Sequence, residues 1–461
     1  MAATLTRWYP ENLDFWLTRG RFVARRNLAC SVFALHLNFN IWMMWSVVVV
    51  NLPAVGFQLS TDQRFWLVAI PPLVGAVMRI LYSMAWSWIG GANWLALSTL
   101  VLLVPALGVG WSVQDIATPY WVLFLMAGLC GIGGGASASH LANISFFFPA
   151  AKKGGALGLN AGIGNLGVSV AQLVIPIAIT LPLFGSLGGA PQVWGRGDEV
   201  RLVWLQNAGF VWVPMILLAA WAAWRFGNNV ASARISPKEQ LKALRVPHTW
   251  RVCMLYMGSY GTFLGFAAAF PLLVSAMFPL EDASGYLFVG PMLAALARPL
   301  GGWLSDRISG GVVTCLAYLV MALALALAAL PLSFPSGGNG GIYPLFVALA
   351  LVLFTAAGFG NGSSYQMSPK IFLVEAGRGA RRTGQPVTEV YASASRLGAA
   401  AMNVSSVMAA FGGFFIPKSF SWSLDLTGGF TAAIGVFLLF YVMAIVVCAR
   451  HYALPHAPVR V

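Results

Sequence analysis

The sequence predicts an all-α polytopic membrane protein of twelve transmembrane helices arranged as two six-helix bundles, and three observations predict it. Hydrophobic residues make up 59% of the 461 positions and charged residues only 9%, a balance that excludes an ordinary soluble enzyme. Apolar stretches of about 20 residues or more, the length a bilayer requires, fall at 28–54, 65–89, 92–112, 119–147, 155–183, 206–227, 249–277, 284–307, 312–333, 342–367, 388–418 and 428–450. Motifs in the first six stretches return in the last six, as a duplicated half would give.

The chain opens with a segment, 1–27, that carries Arg7, Glu11, Asp14, Arg19, Arg21, Arg25 and Arg26. No apolar core of a cleavable signal peptide is expected ahead of the first span. The first bundle is expected at 28–227, a linker at 228–248, the second bundle at 249–450 and a tail at 451–461. The linker is read from the longest basic connection, SARISPKEQLKALRVPH, flanked by Arg225 and Arg251. The net charge of +14 is a topology signal and not a nucleic-acid signature. Of 27 Lys and Arg residues, Arg79, Arg298 and Arg396 lie inside spans, and Arg64, Arg196, Arg201 and Lys418 are expected in loops on one side; the rest lie on the side of the termini. The positive-inside rule makes both termini cytoplasmic, in a bacterial-type inner membrane. Cys30, Cys130, Cys253, Cys315 and Cys448 are scattered singly without metal-ligand spacing, so no metal and no cofactor is expected.

Span 8 holds the feature on which function turns. GPMLAALARPLGGWLSD places Arg298 about twelve residues beyond Tyr286, roughly 18 Å into a hydrocarbon core of about 30 Å. A guanidinium keeps its proton there and requires a negative or strongly polar partner. Span 2 repeats the pattern, because PLVGAVMR sets Pro72 seven residues before Arg79, as PMLAALAR sets Pro291 seven before Arg298. Two buried arginines, one per half, point to a shared anion. Arg396, some two turns into span 11, snorkels to the surface instead.

Other repeats follow the same two halves: GIGGGASAS from Gly131 is echoed by GFGNGSSYQ from Gly358, and LVIP at Pro176 by FFIP at Pro417. Span 5, GGALGLNAGIGNLGVSVAQLVIP, spaces Gly154, Gly158 and Gly162 four apart and adds Gly164 and Gly167. In lipid such a stripe is a helix-packing surface. Asn165 offers an amide donor to an oxyanion. Tyr256 and Tyr260 in span 7 stand one turn apart and share a face.

Together GGALGLNAGIGNLGVSV, ANISFFFP, the Arg79 and Arg298 pair, GGWLSDRISGG and GGFFIPK resemble the nitrate/nitrite porters, or nitrate/nitrite antiporters, of the major facilitator superfamily. The resemblance runs from about Leu28 to Arg450. It implies a major facilitator fold and a membrane carrier of nitrate and nitrite. It also implies an anion clamped by Arg79 and Arg298, hydrogen-bonded by Asn165 and Tyr256 and flanked by the ring of Tyr260. Two positions depart from the family: Ser137 stands where members carry an aromatic in span 4, and Asn403 where they carry a glycine in span 11. Ser406, three residues on, is assigned to the substrate. Gly158, Gly162, Gly164, Gly167, Asn403 and Asp306 are assigned to gating or helix packing, with Asp306 and Arg307 forming a latch at the end of span 8.

All thirteen Asp and Glu residues fall in loops, tails or span ends. Two fixed cations without a carboxylate disfavour reorientation of an empty site, so exchange of one anion for another fits better than proton symport. Proton-linked uptake through His36 or His140 is the alternative, followed by an anion channel and a non-transporting sensor. A channel needs a continuous polar pore, and a sensor needs a signalling domain. No haem, flavin or metal constellation for nitrate reduction is present in the sequence, so no enzyme is expected. The partners expected are nitrate, nitrite and the lipid bilayer, with no nucleic acid, and the protein is expected to be a monomer.

Overall fold

The computed structural model describes residues 2–231, 237–279, 281, 285–332, 342–383 and 387–461. Among them, eleven helices are long and apolar enough to cross a membrane. In chain order the membrane helices are α1 Leu13–Asn51, α2 Thr61–Ile89, α3 Gly91–Ser112, α4 Tyr120–Ser145, α5 Ala150–Ala178 and α6 Asn207–Phe226. They continue with α7 Pro247–Met277, α8 Val289–Arg307, α9 Gly310–Leu332, α10 Tyr343–Thr383, α11 Val387–Thr427 and α12 Thr431–Ala453. The twelfth span is α8, whose 19 residues reach about 28 Å although Arg298, Asp306 and Arg307 lower its apolar character.

Helix ends differ from the apolar stretches because hydropathy marks only the part that suits lipid. The first helix starts at Leu13 rather than 28, with Asn12 Oδ1 accepting from Phe15 N at 3.0 Å and Arg19, Arg21, Arg25 and Arg26 of the basic segment inside it. On α2, Ser60 and Gln63 close a reciprocal capping box, 3.1 and 2.9 Å. The eleventh helix continues past Pro417 to Thr427, so Lys418 is not in a loop as expected. It lies inside the helix with 1% exposure, its Nζ 3.4 Å from Ser421 Oγ and 5.6 Å from the centroid of the Trp422 ring.

Two compact units divide the chain. One comprises Met1–Ile235, Ala267–Ala276 and Asp282–Phe288; the other comprises Ser236–Phe266, Met277–Glu281 and Val289–Val461. Of the stretch 228–248 expected as a linker, 232–236 lie outside the described residues. Ala267–Ala276 groups with the first unit and not with 249–450, and Gln172 Nε2 on α5 donates to Ala267 O at 2.7 Å.

The linker is not all irregular, nor is the N-terminal segment. Strand β1, Ala3–Leu5, pairs in parallel with a strand at Asn228–Val230, and Pro237–Ala243 forms a short helix. Asn229 Oδ1 accepts from Ala92 N at 2.9 Å beside Gly90, whose φ of +95° turns the chain from α2 into α3. Trp8 Nε1 donates to Phe146 O at 3.0 Å, and Ala150 N donates to Glu11 Oε1 at 2.9 Å. A hairpin between α5 and α6, Gln192–Arg196 with Glu199–Val203, turns at Gly197.

Candidate functional site

In the first unit the site is built on Trp42. Its ring occupies a slot between α2 and α4 that only glycines leave open, since a Cβ at Gly75 or Gly134 would lie 2.9 or 2.4 Å from it. Pro71 O accepts from the Trp42 indole at 2.9 Å, which fixes the ring. Above that ring lies Arg79, 1% exposed, its Cζ 5.3 Å from the Trp42 centroid. Arg79 Nε donates to Gly134 O at 3.0 Å. A cation removed from water thereby meets a backbone carbonyl and a π face, which help to set its plane.

The second unit repeats the principle with different atoms. Helices α8 and α10 approach so closely that a Cβ at Gly362 would lie 1.9 Å from Arg298 O, at Gly301 2.3 Å from Phe359 O, and at Gly358 2.3 Å from Ala294 O. The repeated glycine runs of the sequence are thus seats for the arginine helices: Gly131 and Gly135 of α4 face α2, as Gly358 and Gly362 of α10 face α8. Arg298 is 9% exposed. Its Cζ lies 6.0 Å from the Tyr260 centroid and 5.2 Å from that of Tyr365. Tyr256 and Tyr260 stack at 5.3 Å with planes 7° apart, and Tyr365 lies 6.0 Å from Tyr256. The structure therefore brings Arg298, Tyr256 and Tyr260 together.

Asn165 and Asn160 are buried on α5; Asn160 Nδ2 donates to Ser31 Oγ on α1 at 3.0 Å. Of the span 5 glycines, Gly167 packs hardest, its Cβ position 2.3 Å from His36 O, and Gly164 faces the flexible Leu35 side chain at 2.8 Å. Among the described residues nothing lies within 4 Å of the Cβ positions at Gly154 and Gly158, and Gly158 is exposed. Gly162 is half-buried, as are Asn403 and Ser406 on α11, while Ser137 is buried on α4. Arg396 is exposed on α11. Asp306 takes Lys370 Nζ at 2.6 Å and Gln366 Nε2 at 3.0 Å, both from α10. Arg307 is not its partner but lies 4.2 Å from the Trp303 centroid, because the polar partners of a helix-end carboxylate come from the neighbouring helix.

Two histidines are tied into packing. His36 Nδ1 lies 2.9 Å from Ile163 O, and since a carbonyl only accepts, that nitrogen carries hydrogen. His140 Nε2 lies 3.3 Å from Ser98 Oγ. No group of three or more His, Cys, Asp or Glu able to hold a metal occurs among the described residues.

Trp42 and Tyr365 are the site residues that sequence reasoning missed. Tyr365 stands within GFGNGSSYQ, so its place in the repeated glycine run was the available signal; nothing in the sequence marked Trp42 among 18 tryptophans.

Residues 34–385 match the family model of the Major Facilitator Superfamily. The nitrate/nitrite transporter NarU of Salmonella typhimurium is 43% identical over 443 residues, covering 96% of this chain and 94% of that protein. NarU of Escherichia coli is 41% identical over the same shares of the two chains. The probable nitrate/nitrite antiporter NarK2 of Thermus thermophilus is 38% identical, over 95% of this chain and 94% of that one. Among solved structures, a bacterial homolog of the human lysosomal transporter Spinster superposes with a TM-score of 0.61 at 16% identity, over 92% of this chain and 96% of that one. At that identity the likeness concerns the fold.

Proposed function

The chain belongs to the nitrate/nitrite porter family of the major facilitator superfamily, and from that premise we propose that it exchanges nitrate for nitrite across a bacterial-type cytoplasmic membrane by alternating access. The observation that carries the proposal is one buried arginine in each unit, Arg79 and Arg298, each seated where a glycine run admits its helix. A guanidinium is planar and presents parallel N–H donors, which match two oxygens of a flat anion. Arg79 and Arg298 each offer one such fork to an anion. The Asn165 amide and the Tyr256 hydroxyl add neutral donors, and Ser406 adds a hydroxyl on α11. The bias of Lys and Arg among the loops supports both termini being cytoplasmic, and the protein is read as a monomer.

Electrostatics selects exchange. An empty site holds two cations out of water, and a monoanion removes one charge of the excess. Reorientation is therefore favoured when an anion is bound, and transport in one direction requires transport in the other. The anion crosses unchanged, so the reaction is translocation without catalysis. Proton coupling through histidine fits poorly with His36 held on the Ile163 carbonyl and His140 beside Ser98.

Arg79→Lys and Arg298→Lys test the clamp, because each keeps the charge and removes the planar fork. Each is expected to abolish nitrate uptake at normal membrane expression. Near-normal uptake by either variant contradicts the proposal.

A further inference from the structure

Tyr365 has no role in the reading above, yet its ring is the nearer of the two against which Arg298 lies, 5.2 Å from Cζ against 6.0 Å for Tyr260. Its position is fixed from both sides. The preceding Ser364 places Oγ 3.2 Å from Ser259 Oγ on α7, which registers α10 against the helix bearing Tyr256 and Tyr260. Three residues earlier, Gly362 brings the α10 backbone onto the Arg298 carbonyl. A side chain held so closely next to a buried guanidinium does more than fill space.

A guanidinium has two kinds of surface. Its face is weakly hydrated and stacks on an aromatic ring, while its hydrogen-bond donors all point outward in its plane. We infer that Tyr365 is a positioning residue for anion recognition: its ring covers the face of the Arg298 guanidinium and leaves the in-plane N–H edge to a flat, delocalised monoanion. The inference rests on the proposal that Arg298 binds the transported anion. The ring has two effects. It offsets part of the cost of burying the cation when no anion is present, and it holds the guanidinium plane at one tilt, so that the forked donors meet the oxygens of nitrate or nitrite in register. In the first unit the Trp42 ring lies against Arg79 in the same way; the second unit uses rings from two helices.

The test uses the full-length protein in proteoliposomes loaded with nitrite, with initial nitrate uptake measured against external nitrate. Tyr365→Leu keeps an apolar side chain and removes the π face. Half-saturation is expected at about tenfold more nitrate, the size of a desolvated cation–π contact, with the maximum rate changed less than about twofold. Tyr365→Phe and Tyr365→Trp are expected to restore half-saturation, since the face and not the hydroxyl is used. The decisive series replaces Tyr365 by phenylalanine with one, two and three ring fluorines, which drain charge from the ring face at nearly constant size. Half-saturation is expected to rise with each fluorine, a response that packing alone does not give. A flat fluorine series, or a Tyr365→Phe variant as impaired as Tyr365→Leu, overturns the inference. If Tyr365→Leu fails to fold, the fluorine series decides alone. Should Arg298→Lys transport normally, the clamp itself fails; loss on Arg298→Lys together with a flat fluorine series rejects the role of Tyr365 alone.

Discussion

Gly362→Ala places one methyl group where the backbone of a neighbouring helix leaves no room for it. The new Cβ would lie 1.9 Å from Arg298 O, 2.7 Å from Gly302 N and 3.0 Å from Arg298 C. Carbon atoms rest about 3.5 Å from such neighbours, so α8 and α10 must separate by more than about 1 Å. All three atoms are backbone, and no side chain can swing aside to spare them. Overpacking of this kind costs about 1–3 kcal/mol, less the gain of up to about 1 kcal/mol that alanine brings to a helix. The greater loss is functional, because the displaced segment is the one that carries Arg298. A misplacement of about 1 Å in a positioned group costs on the order of 100-fold in rate. Nitrate-for-nitrite exchange is therefore expected to fall by about two orders of magnitude while the protein still inserts and purifies. Gly158→Ala is the matched control, since nothing lies within 4 Å of its Cβ position, and it should retain stability. A Gly362→Ala variant that exchanges within twofold of the parent would refute the claim that the glycine run exists to seat the arginine helix.

Asn229→Ala removes the acceptor for Ala92 N and the donor to Ala2 O, leaving a backbone N–H beside Gly90 unmet; a loss of about 1–3 kcal/mol is expected, read as a lower melting temperature in detergent. An unchanged melting temperature would show that the Asn229 side-chain bonds to Ala92 and Ala2 contribute nothing. Lys370→Ala, by contrast, breaks a pair whose side chains are both more than a third exposed, so thermal stability should change by less than about 1 kcal/mol. Any larger effect on transport than on stability would mark the Asp306 contact as one made and broken during turnover.

The sequence was most informative where physics left one solution. Twelve apolar stretches and two deep arginines admit few folds, and Arg79 and Arg298 were legible because a charge in lipid is costly enough to be there for a reason. The glycine runs were legible as packing surfaces, yet not which glycines pack: Gly164 and Gly167 meet α1, whereas no described atom lies within 4 Å of the Cβ positions at Gly154 and Gly158 on the same helix. Spacing fixes a helix face but not the neighbour it meets. Helix ends were misjudged for a similar reason, since hydropathy sees lipid and not hydrogen bonds; Lys418 belongs to α11 because the helix does not stop at Pro417. Tyr365 and Trp42 were hidden because an aromatic residue in a membrane helix is unremarkable until a guanidinium is found over its face. The N-terminal strand was out of reach altogether, as Ala3–Leu5 finds its partner more than two hundred residues away at Asn228–Val230.

Obligatory exchange is the central claim, and uptake of labelled nitrate into proteoliposomes that differ only in their contents tests it most directly. One set is loaded with nitrite, one with nitrate, one with neither, and the last also receives an inward proton gradient. The proposed exchange predicts rapid uptake with either internal anion and little without, whatever the pH gradient. His36→Gln and His140→Gln should leave that exchange largely intact, because an amide keeps hydrogen bonding and cannot titrate. Accumulation driven by a pH gradient into anion-free vesicles, and lost on one of these substitutions, would contradict the account and make the protein a proton symporter.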